Sequence, residues 1–198
     1  MKLCVFQGTF NPIHNAHLRV AKYVLNKYDF DKLLFIPAYK PPHKKYDDNM
    51  SIHRLNMVKL AVEDEHNSKI EVSDIEYKRE GKSYTYLTIC ELYNKYKIDS
   101  KINFIIGTDA FKDIENWYEA DKLKELVKFT VFIRENNFSS LEYNYLKDKG
   151  YDFIFDELSF EDISSTELRE KIKNGQNIDG FINNSVKEYI AKNGLYKT

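Results

Sequence analysis

Two histidines three residues apart close a short glycine loop, Gly8-Thr9-Phe10-Asn11-Pro12-Ile13-His14-Asn15-Ala16-His17. A glycine at the end of a buried strand lets a phosphate come close to the backbone. Pro12 breaks the strand and fixes the turn. With a helix starting near His14, the first-turn amides point into a crevice and favour an anion. His14 and His17 then share one helix face, where two imidazoles can donate hydrogen bonds to phosphoryl oxygens. The loop is not of the Walker type, because the lysine and hydroxyl pair is missing. Two other readings stay open on spacing alone. The histidine pair suits a metal, although no third ligand of suitable type lies nearby in sequence, or it is an accidental surface pair.

A second constellation is Ile163-Ser164-Ser165-Thr166-Glu167-Leu168-Arg169. Ser164 or Ser165 reads first as a plain helix cap. Three hydroxyls with Arg169 one turn inside the helix also make an anion site of hydroxyls, amides and guanidinium. Two such sites in one chain fit a polyphosphate better than two accidents do.

The elements that must position these groups are legible as short apolar runs alternating with helical patterns. Leu3 to Phe6, Leu33 to Ile36, Ile70 to Val72, Ile102 to Ile106 and Phe129 to Ile133 read as strands, and Tyr151 to Phe155 as a last edge strand. Helical spacing covers Leu18 to Leu25, the segment around Leu55, Val58 and Leu60, Tyr86 to Leu92, Ser165 to Lys173 and Ser185 to Lys192. Ser51 is expected to cap the second of these helices. The alternation predicts a parallel α/β sheet with helices on both faces. Ligands of such sheets bind outside the carboxyl ends of the strands. Gly8 to His17, Pro37 to Lys45, Gly107 to Asp109 and Arg134 all follow strands, so they are expected to converge on one crevice.

The bulk composition removes several classes of function. The 198 residues suffice for one compact domain, with a helical part from about 160 to 198 carrying its own motif. A formal net charge of -1 gives no global attraction to nucleic acid or to an anionic membrane, so any phosphate must be held by a local cluster. The 15% of aromatic residues lacks the basic interleaving of an RNA-stacking surface. Cys4 and Cys90 read as reduced core thiols. No stretch approaches the ~20 apolar residues of a membrane span, and the N-terminus lacks the form of a signal peptide. The expected compartment is therefore the cytoplasm.

Taken together, Gly-Thr-Phe-Asn-Pro-Ile-His-x-x-His and Ile-Ser-Ser-Thr-x-Leu-Arg resemble the nucleotidyltransferases with an HxGH signature, and among them the bacterial nicotinate mononucleotide adenylyltransferases. Further similar pieces are Phe35-Ile36-Pro37-Ala38, Pro41-Pro42-His43-Lys44, Ser83-Tyr84-Thr85, Phe104-Ile105-Ile106-Gly107-Thr108-Asp109, Trp117-Tyr118 and Asn193-Gly194-Leu195-Tyr196. The resemblance covers nearly the whole chain. It departs at Gln7 and Ala16, where the family usually has glycine; Gln7 is expected to tighten the ATP pocket.

The resemblance implies a Rossmann-like doubly wound parallel sheet with a helical C-terminal part, in a single nucleotidyltransferase domain over 1–198. It implies transfer of AMP from ATP to nicotinate mononucleotide, giving deamido-NAD and pyrophosphate. His14, His17 and Arg169 are the expected catalytic groups. Gly8, Thr9, Phe10, Gly107, Asp109, Ser164, Ser165 and Thr166 are expected to hold ATP. Asn11, Lys44, Tyr84, Thr85, Trp117, Tyr118 and Arg134 are expected at the acceptor or the cleft wall, with Trp117 stacked on the pyridine ring. Mg²⁺ is expected on the polyphosphate, mainly through water, because no carboxylate cluster offers a cage. The expected partners are the two nucleotides, without nucleic acid or membrane; a homo-oligomer is compatible with the sequence and not required by it. Same-fold alternatives use nicotinamide mononucleotide, phosphopantetheine or a cytidylyl donor. A non-catalytic nucleotide sensor and a metal-dependent hydrolase are the readings from other classes.

Overall fold

The computed structural model describes residues 1–42, 48–133, 138–158 and 163–197. Among these, six strands form one sheet: β1 (Leu3–Gly8), β2 (Lys32–Pro37), β3 (Ile70–Val72), β4 (Ile102–Gly107), β5 (Val127–Phe132) and β6 (Phe153–Asp156). The helices are α1 (Asn15–Lys27), α2 (Asp48–Glu63), α3 (Thr85–Lys95), α4 (Thr108–Phe111), α5 (Ala120–Leu126), α6 (Asn144–Asp148), α7 (Ser165–Lys173) and α8 (Asn184–Lys192). The strand order is β3-β2-β1-β4-β5-β6, and every pairing is parallel.

The strands are apolar on both faces because helices cover both. This is why Leu33-Leu34-Phe35-Ile36 is a continuous apolar run and not an alternating one. Cys4, Phe6, Leu33, Phe35 and Ile105 face one core, shared with α1, α2, α7 and α8. Leu3, Val5, Leu34, Ile36, Phe104 and Ile106 face the other, shared with α3, α4 and α5. The two-residue side-chain period of a strand makes this division. Leu168 of α7 and Val186 and Ile190 of α8 are buried in the first core, so the C-terminal helices pack on the sheet.

Chain order reverses at β1, where Cys4 pairs with Leu33 of β2 on one side and with Asn103 of β4 on the other. At such a switch point the connections diverge to opposite faces and leave a crevice beyond the strand ends. Here those ends are Gly8 and Gly107, each the last residue of its strand.

Several local expectations shift. Ser51 does not cap α2: the helix begins at Asp48, and Ser51 is fully buried within it. The fifth strand starts two residues earlier than expected, at a wholly buried Val127. The edge strand starts at Phe153, two residues later than expected. Cys4 is fully buried, and burial pushes its thiol up to about 12; Cys90 is only half-buried, on α3. No described helix is long and apolar enough to cross a membrane.

Candidate active site at the switch point

Two cavities adjoin beyond β1 and β4. The larger, about 720 Å³, is walled by Gln7, Gly8, Thr9 and Phe10 on one side and by Ser83 to Thr85, Asp109, Trp117 and Tyr118 on the other. The smaller, about 70 Å³, lies between the start of α1 and the ends of β4 and β5, with His14, Ala16, Gly107 and Leu158 in its wall. Phe6, His17, Ile105, Ile106 and Gly107 border both. His17 is therefore the polar side chain common to the two.

The start of α1 explains the histidine spacing. His14 is the N-cap residue, 4% exposed, and its extended backbone ends the loop. The His17 N–H donates to the His14 carbonyl (3.0 Å), and the His14 N–H donates to Nδ1 of His17 (3.3 Å). The two rings lie 3.8 Å apart, tilted by 35°. An Nδ1 that accepts leaves the proton of a neutral imidazole on Nε2. His17 thus presents a donor. The first turn of α1 carries no acidic residue to offset the partial positive charge of its N-terminus, although the Asn15 N–H already donates to the Phe181 carbonyl (2.8 Å).

The loop before α1 is held from outside. Arg54 Nη1 donates to the carbonyls of Thr9 (2.8 Å) and Ala38 (2.5 Å), and Nη2 to that of Tyr39 (3.1 Å). Arg169 Nη1 donates to the Asn11 carbonyl (2.8 Å) and the Ser165 carbonyl (3.1 Å). The Ser165 hydroxyl donates to the Pro12 carbonyl (2.9 Å), and the Tyr196 hydroxyl to Asn11 Oδ1 (2.6 Å). In a trans peptide the next N–H points opposite to its carbonyl. Drawing the Thr9 carbonyl toward Arg54 therefore turns the Phe10 N–H away from that guanidinium. Phe10 itself has φ 47°, in the left-handed region that a bulky residue occupies only under constraint. Its ring packs against Phe6, Phe35 and His17. It also covers Gly8: a Cβ there would lie 2.9 Å from the ring. Any side chain at position 8 would have to displace the buried Phe10 ring, a constraint the sequence does not reveal.

The three hydroxyls ahead of Arg169 already have partners. Ser164 caps α7, accepting from the Glu167 N–H (3.1 Å) while its own N–H and hydroxyl donate to Glu167 Oε2. Ser165 holds Pro12 as above, and Thr166 Oγ1 accepts from Arg169 Nη2 (3.1 Å). The plain cap reading describes Ser164; Ser165 and Arg169 join α7 to the histidine loop.

On the opposite wall, Tyr84 precedes α3 and Thr85 is its first residue. Tyr84 stacks on Tyr118 (4.4 Å between centroids), and half-buried Trp117 meets Phe104 edge to face at 6.1 Å. Gly107 and Asp109 open α4 at the floor. Lys44 and Arg134 lie outside the described residues. Asn11 borders neither cavity; its side chain turns to Tyr196. Gln7 does not border the smaller cavity. It lines the larger cavity and reaches Glu76 and Thr85, because its side chain leaves the strand on the α3 face.

Sequence reading missed Arg54, Glu76 and Tyr196. Arg54 carried a signal: with Ser51, Met57, Val58 and Ala61 it occupies the buried stripe of α2, where an unpaired arginine is costly. Glu76, 2% exposed in a short turn, carried none.

Residues 5–171 match the Cytidylyltransferase-like family. A protein of Clostridium tetani named "Probable nicotinate-nucleotide adenylyltransferase" is 42% identical over 99% of both chains. One of the same name from Fusobacterium nucleatum is 39% identical over 97% of this chain and 98% of its own. Among solved structures, the Plasmodium falciparum nicotinic acid mononucleotide adenylyltransferase complexed with NaAD shares the fold, with a TM-score of 0.77 at 24% identity over 98% of this chain and 97% of its own. The match through the histidine loop, the switch point and α7, with relatives aligned end to end, carries one conclusion: the chain belongs to the Cytidylyltransferase-like nucleotidyltransferases and, within them, to the nicotinate-nucleotide adenylyltransferase family.

Proposed function

We propose that this chain transfers AMP from ATP to the 5′-phosphate of nicotinate mononucleotide, giving deamido-NAD and pyrophosphate in NAD biosynthesis. The observation that carries the reading is His17, a donor at the border of two cavities on an acid-free helix N-terminus. Adenosine would occupy the side of β4, β5 and Gly107. The pyridine nucleotide would occupy the larger cavity, with its ring against Trp117 and its carboxylate at the start of α3.

An oxygen of the acceptor phosphate attacks the α-phosphorus of ATP. The bond from that phosphorus to the oxygen bridging toward the β-phosphate breaks, and the electron pair leaves with pyrophosphate. The attacking phosphate is already largely dianionic at neutral pH, its second pKa being about 6. No protein base is therefore required. The residues supply position and charge stabilisation. His17, with His14 behind it, donates to the phosphoryl oxygens as charge moves onto the leaving group. Gly8, Thr9 and Phe10 shape the cleft with backbone. Ser165, Thr166 and Arg169 would meet the β- and γ-phosphates through first-turn amides and the guanidinium hydrogens not given to Asn11, Ser165 and Thr166, and Ser164 would hold that turn as its cap.

Mg²⁺ would travel with the ATP phosphates and water. Asp109 and Asp113, both on the wall of the larger cavity, would accept from its waters where the two nucleotides meet. When bound, the ion neutralises phosphate charge. The reading places the enzyme in the cytoplasm, as one domain.

The test is pyrophosphate release with ATP and each candidate acceptor in parallel. Nicotinate mononucleotide should be used about 10² better than its amide, since backbone N–H groups meet a carboxylate without mismatch. Turnover with phosphopantetheine or CTP, and none with ATP and either pyridine nucleotide, would refute the reading.

A further inference from the structure

We infer that Gln7 is a specificity-determining residue, which sets the hydrogen-bond polarity of Thr85 toward the acceptor's ring substituent. The inference rests on the reading above, that this substituent meets the start of α3.

Gln7 bridges two groups. Its Nε2 donates to Glu76 Oε1 (2.5 Å), and its Oε1 accepts from the Thr85 hydroxyl (2.8 Å). Glu76 is buried and takes further donors, Thr88 Oγ1 (2.6 Å) and the Tyr39 N–H (3.2 Å), with the Ser83 hydroxyl also bonded to it. Burial pushes the Glu76 carboxyl up, and the bonds from Ser83, Thr88 and Tyr39 and the charge of Arg79 act against that. Among these donors the Gln7 amide turns its NH₂ to Glu76 and its carbonyl to Thr85. That carbonyl in turn can only accept, so the single hydroxyl hydrogen of Thr85 goes to Gln7. Gln7 and Thr85 both line the larger cavity. Toward that cavity the hydroxyl oxygen has only lone pairs left, beside the donor of the Thr85 N–H. Buried Glu76 thereby fixes, through Gln7, an acceptor where a carboxylate would be better served by a donor.

A pyridine carboxylate offers only acceptors, whereas a carboxamide offers an NH₂ as well. The Thr85 lone pairs favour the amide and oppose the acid. With no side-chain amide at position 7, the Thr85 hydroxyl is free to turn and donate. The backbone N–H groups still favour the acid in the wild-type chain; Gln7 narrows the margin.

The experiment measures kcat/KM for nicotinate and nicotinamide mononucleotides, and KM for ATP, in wild type, Gln7→Ala, Gln7→Met, Thr85→Val and Gln7→Ala/Thr85→Val. Gln7→Met keeps the volume and removes both polar atoms, should alanine loosen the wall. The acid-to-amide ratio should rise about tenfold in either Gln7 variant, the scale of one hydrogen bond to a charged group changing sense. KM for ATP should stay within twofold. Thr85→Val should also raise the ratio, through loss of the amide's partner, and Gln7→Ala should add nothing to it. A ratio unchanged or lowered in both folded Gln7 variants overturns the inference, as does a further rise in the double variant. Failure of the functional reading looks different: no turnover of either mononucleotide by wild type.

Discussion

In the proposed reaction His17 would act through one nitrogen because the other is occupied. Nδ1 takes the His14 N–H, and the imidazole is wedged between that ring and Phe10, 5.0 Å from its centroid. The Nε2 proton is directed by the fold and would not need to reorganise in that reaction, which is where a preorganised donor gains over water. His17→Ala should lower kcat by about 10²–10³ with an unchanged circular dichroism spectrum. Near-normal kcat in the folded variant would remove His17 from the chemistry. Arg169 sits one step back. Its Nη1 bonds leave other guanidinium hydrogens for a phosphate, so Arg169→Ala should raise KM for ATP more than KM for the mononucleotide. Initial rates with each substrate varied in turn will decide this; a defect confined to the mononucleotide would reverse the assignment of the two phosphate regions.

At the scale of elements, α7 was legible in full and its use was not. Ser-x-x-Glu before an amphipathic run marks a capping box, and Ser164 and Glu167 form one. The spacing could not say that Ser165 and Arg169 reach the histidine loop, since the partners are the carbonyls of Pro12 and Asn11. Ser164→Ala should cost about 1 kcal/mol, the ordinary value of a cap. It should leave KM for ATP almost unchanged, because Ser164 turns to Glu167. Urea unfolding and ATP kinetics on the same preparation separate the two effects. A tenfold rise in KM would instead show Ser164 bound to phosphate. The strands follow the same division. Glycine at positions 8 and 107 marks strand ends locally, but only the fold shows that a Cβ at position 8 would meet the Phe10 ring.

At the scale of the molecule, the sheet is closed at its far edge by a polar knot. Asp156, at the end of β6, accepts from Tyr23 (2.7 Å), Lys27 (2.8 Å) and Tyr28 (2.9 Å), all on or just after α1. Burial alone would push the Asp156 carboxyl up; the bonds from Lys27, Tyr23 and Tyr28 outweigh it and hold the group below the usual carboxylate range. A carboxyl depressed in the folded state stabilises the fold above its unfolded pKa of about 3.9, and that contribution fades as pH falls through the folded value. Thermal melts from pH 7 to pH 2.5 should therefore show wild type losing stability faster than Asp156→Asn below about pH 4. Parallel curves would assign the acid loss to other carboxylates.

What the sequence determined by itself was local. Strand and helix periods, and the glycines and prolines that stop them, are written within a few residues, so the parallel sheet and the loops gathered at its carboxyl edge could be read in order. Gln7 was legible as a departure, not as a contact. Tertiary structure decided where each donor points. Arg54 reaches Thr9 across 45 residues, Gln7 reaches Glu76 across 69, Arg169 reaches Asn11 across 158, and Tyr196 reaches Asn11 across 185. A buried polar group must be satisfied, but nothing in its neighbours along the chain says by what. That choice is made only when the sheet brings distant segments to one edge.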